Sequence, residues 1–257
     1  NPFSEPATAR AQLIAELELP IFEPGESEYL LWLGCVWSYN KDARSALEAM
    51  VKILNTAGVA WGVLERESCS GHHSRRQGEE LQFQTLAEDN IASLEQIGNA
   101  KVVAPCPHCL HTMRREYPTL KDGFALETLH HSELIADLVA RGALAPGRDG
   151  GGGDNGDGKV HTYHDPCYLG RYEGIYDAPR RLVELERRGA KSFCCGGGNA
   201  GFTAEREEER RVDQERSDEI KRSGAQVLVT SCPECKMMLG TATSETKDLA
   251  ELVAESL

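Results

Sequence analysis

Lys101-Val-Val-Ala-Pro-Cys-Pro-His-Cys109 is a short apolar run that empties directly into a Cys-Pro-x-Cys turn, and Val227-Leu-Val-Thr-Ser-Cys-Pro-Glu-Cys235 repeats it. Three or four apolar or β-branched residues stopped by a turn former read as a buried strand. Each copy therefore predicts a strand whose carboxyl end delivers two thiols into one small volume. Upstream, Cys69 precedes Cys106 by 37 residues, and Cys195 precedes Cys232 by the same 37. The chain thus carries a duplicated soft-metal site.

Working outward, the first half predicts a strand over 29–34 ending at Cys35 and a helix over 44–54 with Leu47, Met50, Val51 and Leu54 at helical spacing. A strand over 59–64 leads towards Cys69, and a helix over 77–97 has Leu81, Leu86, Ile91, Leu94 and Ile97 as its apolar side. A helix over 132–139 closes the half. The second half repeats the order: a strand over 160–163 before Cys167, a helix over 178–187, and Cys194-Cys195 at a glycine-rich turn. The helix over 203–222 is so rich in Glu, Arg and Asp that it reads as a solvated face.

Asp137-Leu-Val-Ala140 is echoed by Glu251-Leu-Val-Ala254. Strands alternating with helices predict an α/β fold of two similar lobes, each a small parallel sheet flanked by helices, with the cysteines on strand-end loops. The glycine-rich stretch 144–158 reads as a linker between a first cysteine-rich domain over 29–143 and a second over 159–257, with 1–28 as an N-terminal arm.

Composition narrows the function. The 257 residues carry a net charge of −13, which argues against nucleic-acid binding. Nine cysteines is an odd count, and 40% hydrophobic content builds cores without staples, so a disulfide scaffold is disfavoured. No run approaches the roughly 18 apolar residues of a membrane span, and no signal segment is evident. The expected setting is the cytoplasm, or the cytoplasmic face of a membrane complex. Because the sequence opens on Asn1, it is expected to be a processed product or a piece of a longer polypeptide.

Four-thiolate sites closed by a CxxC pair hold Zn²⁺ or an iron-sulfur cluster. A lone CxxC is weak; two with the same upstream spacing are strong.

Cys167…Cys194-Cys195-Gly196…Cys232-Pro233-Glu234-Cys235, with His164-Asp-Pro-Cys-Tyr-Leu-Gly-Arg171, resembles the cysteine-rich CCG domain of heterodisulfide reductase and of related membrane-linked iron-sulfur oxidoreductases. The resemblance runs from about residue 29 onward. It implies that Cys167, Cys194, Cys195, Cys232 and Cys235 hold a noncubane [4Fe-4S] cluster, with Cys194, Cys195 and His164 as catalytic candidates. The first half departs from the pattern, with Ser68 where the first of the adjacent cysteines would stand. Cys35, Cys69, Cys106 and Cys109 remain, enough for a second [4Fe-4S] cluster or for Zn²⁺, with iron-sulfur favoured.

Gly196-x-Gly198-x-x-Gly201 fits a dinucleotide fingerprint formally, but it follows two cysteines rather than a strand. Gly196, Gly197 and Gly198 read instead as cofactor-binding positions where backbone N–H groups approach cluster sulfur. His72, His73 and His108 read as surface residues that could also serve as ligands, and His164 as a hydrogen-bond or proton donor to the cluster.

The function expected is an electron-transfer or catalytic oxidoreductase subunit delivering electrons to a disulfide, a quinone-linked carrier or a protein. With no flavin fingerprint and no ferredoxin cysteine run, it needs ferredoxin-like or flavoprotein partners, and the resemblance implies a membrane-anchoring subunit or segment as a further candidate partner. The alternatives are a zinc-stabilised interaction module and a metal-free dithiol protein.

Overall fold

In the computed structural model, residues 1–146, 158–177, 185–198, 201 and 211–257 are described. Two parallel sheets organise them. The first has β1 (Tyr29–Leu31), β2 (Trp61–Gly62), β3 (Lys101–Ala104) and β4 (Thr128–His130) in the order β2-β1-β3-β4. The second has β5 (His161–His164), β6 (Val227–Thr230) and β7 (Glu245–Asp248) in the order β5-β6-β7. All pairings are parallel, with Val103 opposite Leu31 and Leu129, and Val229 opposite Tyr163 and Lys247. Leu30, Leu31, Val102, Val103, Leu228 and Val229 are fully buried, as strands covered on both faces require.

The helices are α1 (Ala7–Glu16), α2 (Gly34–Tyr39), α3 (Arg44–Thr56), α4 (His72–Gln77), α5 (Glu80–Leu94), α6 (Pro107–His111), α7 (Tyr117–Leu120) and α8 (His131–Ala140) in the first lobe. The second lobe has α9 (Val212–Arg222), α10 (Pro233–Met238) and α11 (Leu249–Glu255). The internal repeat is visible in cap chemistry. His130 starts α8 and Asp248 starts α11, each in a reciprocal box with a glutamate three residues on, Glu133 and Glu251. Such a box satisfies two otherwise orphaned N–H groups at the helix start.

The lobes share their cores. Ala250 and Ala254 of α11 pack into the cluster around Leu47, Met50 and Ile53 of α3, while Leu169 of the second lobe packs with Phe83, Ala87 and Val102. Buried His131 and Asp248, one from each lobe, hydrogen-bond at 2.9 Å.

Several expectations need correction. The helix over 77–97 breaks at Gly78, whose φ is +83°, and restarts at Glu80. Its buried side is Phe83, Ala87, Asn90, Ile91 and Leu94, and Leu81 is 80% exposed. The charged helix is not simply solvated: along α9 Arg216, Ser217, Glu219 and Ile220 are buried. Residues 203–210 of that expected helix lie outside the described residues, as do most of the linker (147–157) and residues 178–184 of the helix expected over 178–187. The short strands β4 and β7 were not anticipated. Nor was the part taken by the first 28 residues: Leu13, Ile14 and Leu19 join the core, and Ile21 bridges to Val63. No helix among the described residues is long and apolar enough to cross a membrane.

Candidate metal centre

Every cysteine follows the carboxyl end of a strand or sits on a loop beside one. In the second lobe Cys167 lies three residues beyond β5, and Cys232 and Cys235 open α10 directly after β6. Pro233 at the first position of α10 lacks only an N–H that would be unpaired there anyway. Cys194 and Cys195 arrive from a separate loop. The sulfurs of Cys195 and Cys235 are 3.2 Å apart, and those of Cys167 and Cys194 3.9 Å. All nine cysteines are free thiols, and these separations exceed the ~2.05 Å of a disulfide bond.

The glycine turn is shaped around these thiols. Gly196 adopts φ +86° and its N–H donates to Cys194 Sγ at 3.2 Å. A Cβ on Gly197 would lie 3.6 Å from Cys195 Sγ, and one on Gly201 only 2.1 Å from the Gly196 carbonyl oxygen, so Gly201 admits no side chain.

His164 is fully buried and accepts a hydrogen bond at Nδ1 from Arg216 Nε, at 3.1 Å. Accepting at Nδ1 leaves the proton on Nε2. A ring nitrogen of His164 lies within 4.8 Å of the Cys195 and Cys235 sulfurs, and Nε2 has no hydrogen-bond partner among the described residues. Burial, aided by the Arg216 charge, pushes the imidazole down to about 3. It is therefore a neutral imidazole beside the thiols rather than a ready source of protons. Arg216 is itself held by Glu219 at 3.0 Å.

The first lobe gathers Cys35, Cys69, Cys106 and Cys109 in the same way. Cys35 interacts with Cys69, and Cys109 with both Cys106 and Ser70. Two polar devices hold the loops. Asn90 Nδ2 donates to the Cys69 carbonyl at 2.9 Å and to Tyr117 Oη at 3.0 Å, and Tyr117 donates to the Ser70 carbonyl at 3.0 Å. Glu67 accepts from the N–H groups of Leu33 and Gly34, at 2.9 and 2.8 Å, and pairs with buried Arg10 at 3.2 Å. The Cys69 loop is thereby clasped to the turn that carries Cys35.

The two thiol groups meet. The Cys106 and Cys232 side chains hydrogen-bond to each other. The residues inside the two CxxC turns also face each other, His108 Nδ1 lying 3.4 Å from Glu234 Oε1. His73 Nε2 reaches the same oxygen at 3.1 Å. His72 is buried as well, hydrogen-bonded to the Gly198 carbonyl at 3.1 Å and packed against Tyr168. Tyr168 stacks in turn on half-exposed Tyr172. The expectation of surface positions for His72, His73 and His108 is therefore corrected: all three lie in the seam between lobes.

Protonation follows the crowding. Hydrogen bonds from Cys167 and Cys195 hold Cys194 down at about 2, and one from Cys35 holds Cys69 at about 6. Cys232 is buried, yet its bonds from Cys106 and Cys235 bring it to about 6. Their neighbours Cys35, Cys109, Cys167, Cys195 and Cys235 are driven up, first by hydrogen-bonding to an adjoining cysteine sulfur and then by burial. So many sulfurs cannot ionise together without a cation among them. A donor set made only of sulfur, at these separations and with a backbone N–H on one thiolate, fits a soft metal or an iron-sulfur core.

Sequence reasoning reached all nine cysteines, His164 and the glycines. It missed Arg10, Glu67, Asn90, Tyr117 and Arg216, polar residues whose burial only the fold produces. For Glu234 a signal existed: it stands where His108 stands in the other CxxC turn.

Residues 29–114 and 161–240 match the family model of the CCG cysteine-rich domain. The chain is 34% identical over 252 residues to the EtfAB:quinone oxidoreductase of Syntrophomonas wolfei, covering 90% of this chain and 34% of that protein. It is 35% identical over 279 residues to a "Probable membrane-anchored ferredoxin" of Chromohalobacter salexigens, covering 100% and 40%. It is 29% identical over 252 residues to one subunit of the dihydromethanophenazine:CoB–CoM heterodisulfide reductase of Methanosarcina mazei, covering 90% and 59%. The chain thus spans about a third to three fifths of the length of these relatives.

Proposed function

The chain belongs to the cysteine-rich CCG-domain family, and from that premise we propose that it is an iron-sulfur electron-transfer unit of an oxidoreductase. The observation that carries the reading is the convergence of Cys167, Cys194, Cys195, Cys232 and Cys235, through the 3.9 and 3.2 Å sulfur pairs, under a backbone N–H. Those five would hold a noncubane [4Fe-4S] cluster, and Cys35, Cys69, Cys106 and Cys109 a second [4Fe-4S] cluster. When bound, such clusters supply one-electron storage and delivery at a potential set by charge, hydrogen bonds and solvent exposure.

The protein's own contribution is electrostatic. The Gly196 N–H places a positive dipole at Cys194, and Arg216 fixes the His164 ring beside the second-lobe sulfurs, where its N–H would add a second dipole. Cys167 and Cys194 keep some solvent exposure while Cys195, Cys232 and Cys235 are buried, so electrons enter or leave past the first pair. The division into a first domain over 29–143 and a second over 159–257 is part of this reading.

Electrons would come from a ferredoxin-like or flavoprotein partner and pass to a disulfide, a quinone-linked carrier or a protein. Relatives named for a quinone and for a heterodisulfide support that range, and one named membrane-anchored supports assembly at a membrane, at whose cytoplasmic face we place the chain. Anaerobic purification with iron, sulfide and zinc analysis and a visible spectrum tests the proposal. Iron and sulfide with broad absorbance near about 400 nm are expected; a colourless, iron-free protein overturns it.

A further inference from the structure

Tyr172, 54% exposed, is the one exposed tyrosine, tryptophan or phenylalanine among the described residues. Its ring lies flat on that of buried Tyr168, with centroids 4.4 Å apart and planes 6° from parallel. Tyr168 meets His108 at 4.5 Å and His72 at 4.7 Å between ring centroids, and His108 Nδ1 is 3.5 Å from Cys106 Sγ. Tyr168 is also the residue after Cys167. A column of contacting rings thus runs from the surface to thiols of both lobes. An uncommon turn builds it: the Glu173 N–H donates to the Tyr168 carbonyl at 3.2 Å, five residues back, a π-type closure frequent at functional sites.

The rim of the column is cationic, although the chain as a whole carries a net charge of −13. Arg114 and Arg115 reach Glu173, the residue after Tyr172, at 3.4 and 3.8 Å. Arg76 pairs with Glu116 and lies within electrostatic reach of Tyr168. Arg171, just before Tyr172, is exposed. The Glu173 and Glu116 side chains are buried, and Glu133, which also pairs with Arg114, is partly exposed. Guanidinium groups therefore form most of the outer layer, above all Arg115, whose side chain is 63% exposed.

We propose, resting on the iron-sulfur reading above, that this face docks a small electron-carrier protein with an acidic surface around its redox centre. An exposed aromatic ringed by arginines has the composition of an interface hot spot, and the charge selects the sign of the partner. A second copy of this chain fits less well, because a two-fold pairing would set these arginines against themselves. On docking, one electron leaves the reduced carrier and reduces the chain's iron-sulfur centre, and no bond forms or breaks. The rings fill the gap to Cys106 and Cys167 without being oxidised themselves.

The test is calorimetric binding of the anaerobically purified whole chain to an oxidised plant-type [2Fe-2S] ferredoxin of negative net charge, at about 0.1 M salt, where charge acts over about 10 Å. Arg115→Glu should weaken binding at least about fivefold and Tyr172→Ala roughly tenfold, while Tyr172→Phe, which keeps the ring, should bind like the wild type. Arg44→Glu changes the net charge equally, but Arg44 pairs with Glu16 and Glu48, and its affinity should stay within about twofold of wild type. Reduction of the chain by reduced ferredoxin should slow in both weakened variants, and reduction by dithionite should not. A wild-type chain that holds iron and does not bind, equal weakening by Arg44→Glu, or wild-type affinity in both Arg115→Glu and Tyr172→Ala overturns the docking face. Iron is counted in every sample, so an iron-free chain, which overturns the iron-sulfur reading, is a separate result.

Discussion

His108 and Glu234 occupy the same position of two Cys-Pro-x-Cys turns, 126 residues apart in sequence, and their side chains meet at 3.4 Å. Together with the adjoining Cys106 and Cys232 thiols, they show that the two thiol groups are set face to face. The duplicated chain thus brings its two sites together instead of holding them on opposite ends.

Asn90 is the first residue to probe. Asn90→Ala deprives the Cys69 carbonyl and the Tyr117 hydroxyl of their shared donor. The expected loss is about 1–3 kcal/mol, read from urea unfolding, with the second-lobe iron unchanged. A loss of second-lobe iron would contradict the assignment of Asn90 to the first-lobe loop.

Arg216→Met frees the His164 ring without touching a cysteine. Removing an N–H dipole from a thiolate destabilises the reduced, more negative centre, so the second-lobe reduction potential should fall. One hydrogen bond of about 1 kcal/mol corresponds to roughly 40–50 mV for one electron. An unshifted potential in a redox titration would show that His164 does not act on the cluster.

Gly201→Ala should be intolerable, because its Cβ would sit 2.1 Å from the Gly196 carbonyl oxygen. The Cys194–Cys195 loop must then move, and iron bound by the second lobe should drop. Full iron retention would show that the loop is not rigidly seated.

Glu219 lies below the usual carboxylate range: burial opposes its charge, but hydrogen bonds from Arg187 and the nearby Arg216 overcome burial. A carboxyl lowered on folding stabilises the protein above its unfolded value, here about 4.5, and that contribution fades as the pH falls through the folded value. Glu219→Gln should therefore flatten the loss of urea midpoint as the pH falls below about 5. An unchanged slope would remove Glu219 from the network that holds Arg216.

The strands running into Cys106 and Cys232 were legible in sequence because an apolar run and a Cys-Pro turn sit together with nothing between. The five second-lobe thiols were legible because their spacing and neighbours match a family pattern. Arg216 was not, since an arginine on a helix of Glu, Arg and Asp looks solvated until β5 and the Cys194 loop close over it. Asn90 escaped for a related reason: the helical phase drawn through Leu81 and Leu86 is the wrong one, and the buried face turns on a polar residue kept for its two hydrogen bonds. Strand β7, Glu245-Thr-Lys-Asp248, has no apolar residue to announce it. The seam itself could not be read from either half alone.

The most direct test of the central claim is the iron and inorganic sulfide content of the Cys35→Ala/Cys69→Ala double variant, purified without oxygen. With the first lobe disabled, the five second-lobe thiols should still hold about four irons and four sulfides per chain. A folded variant free of iron would contradict the account.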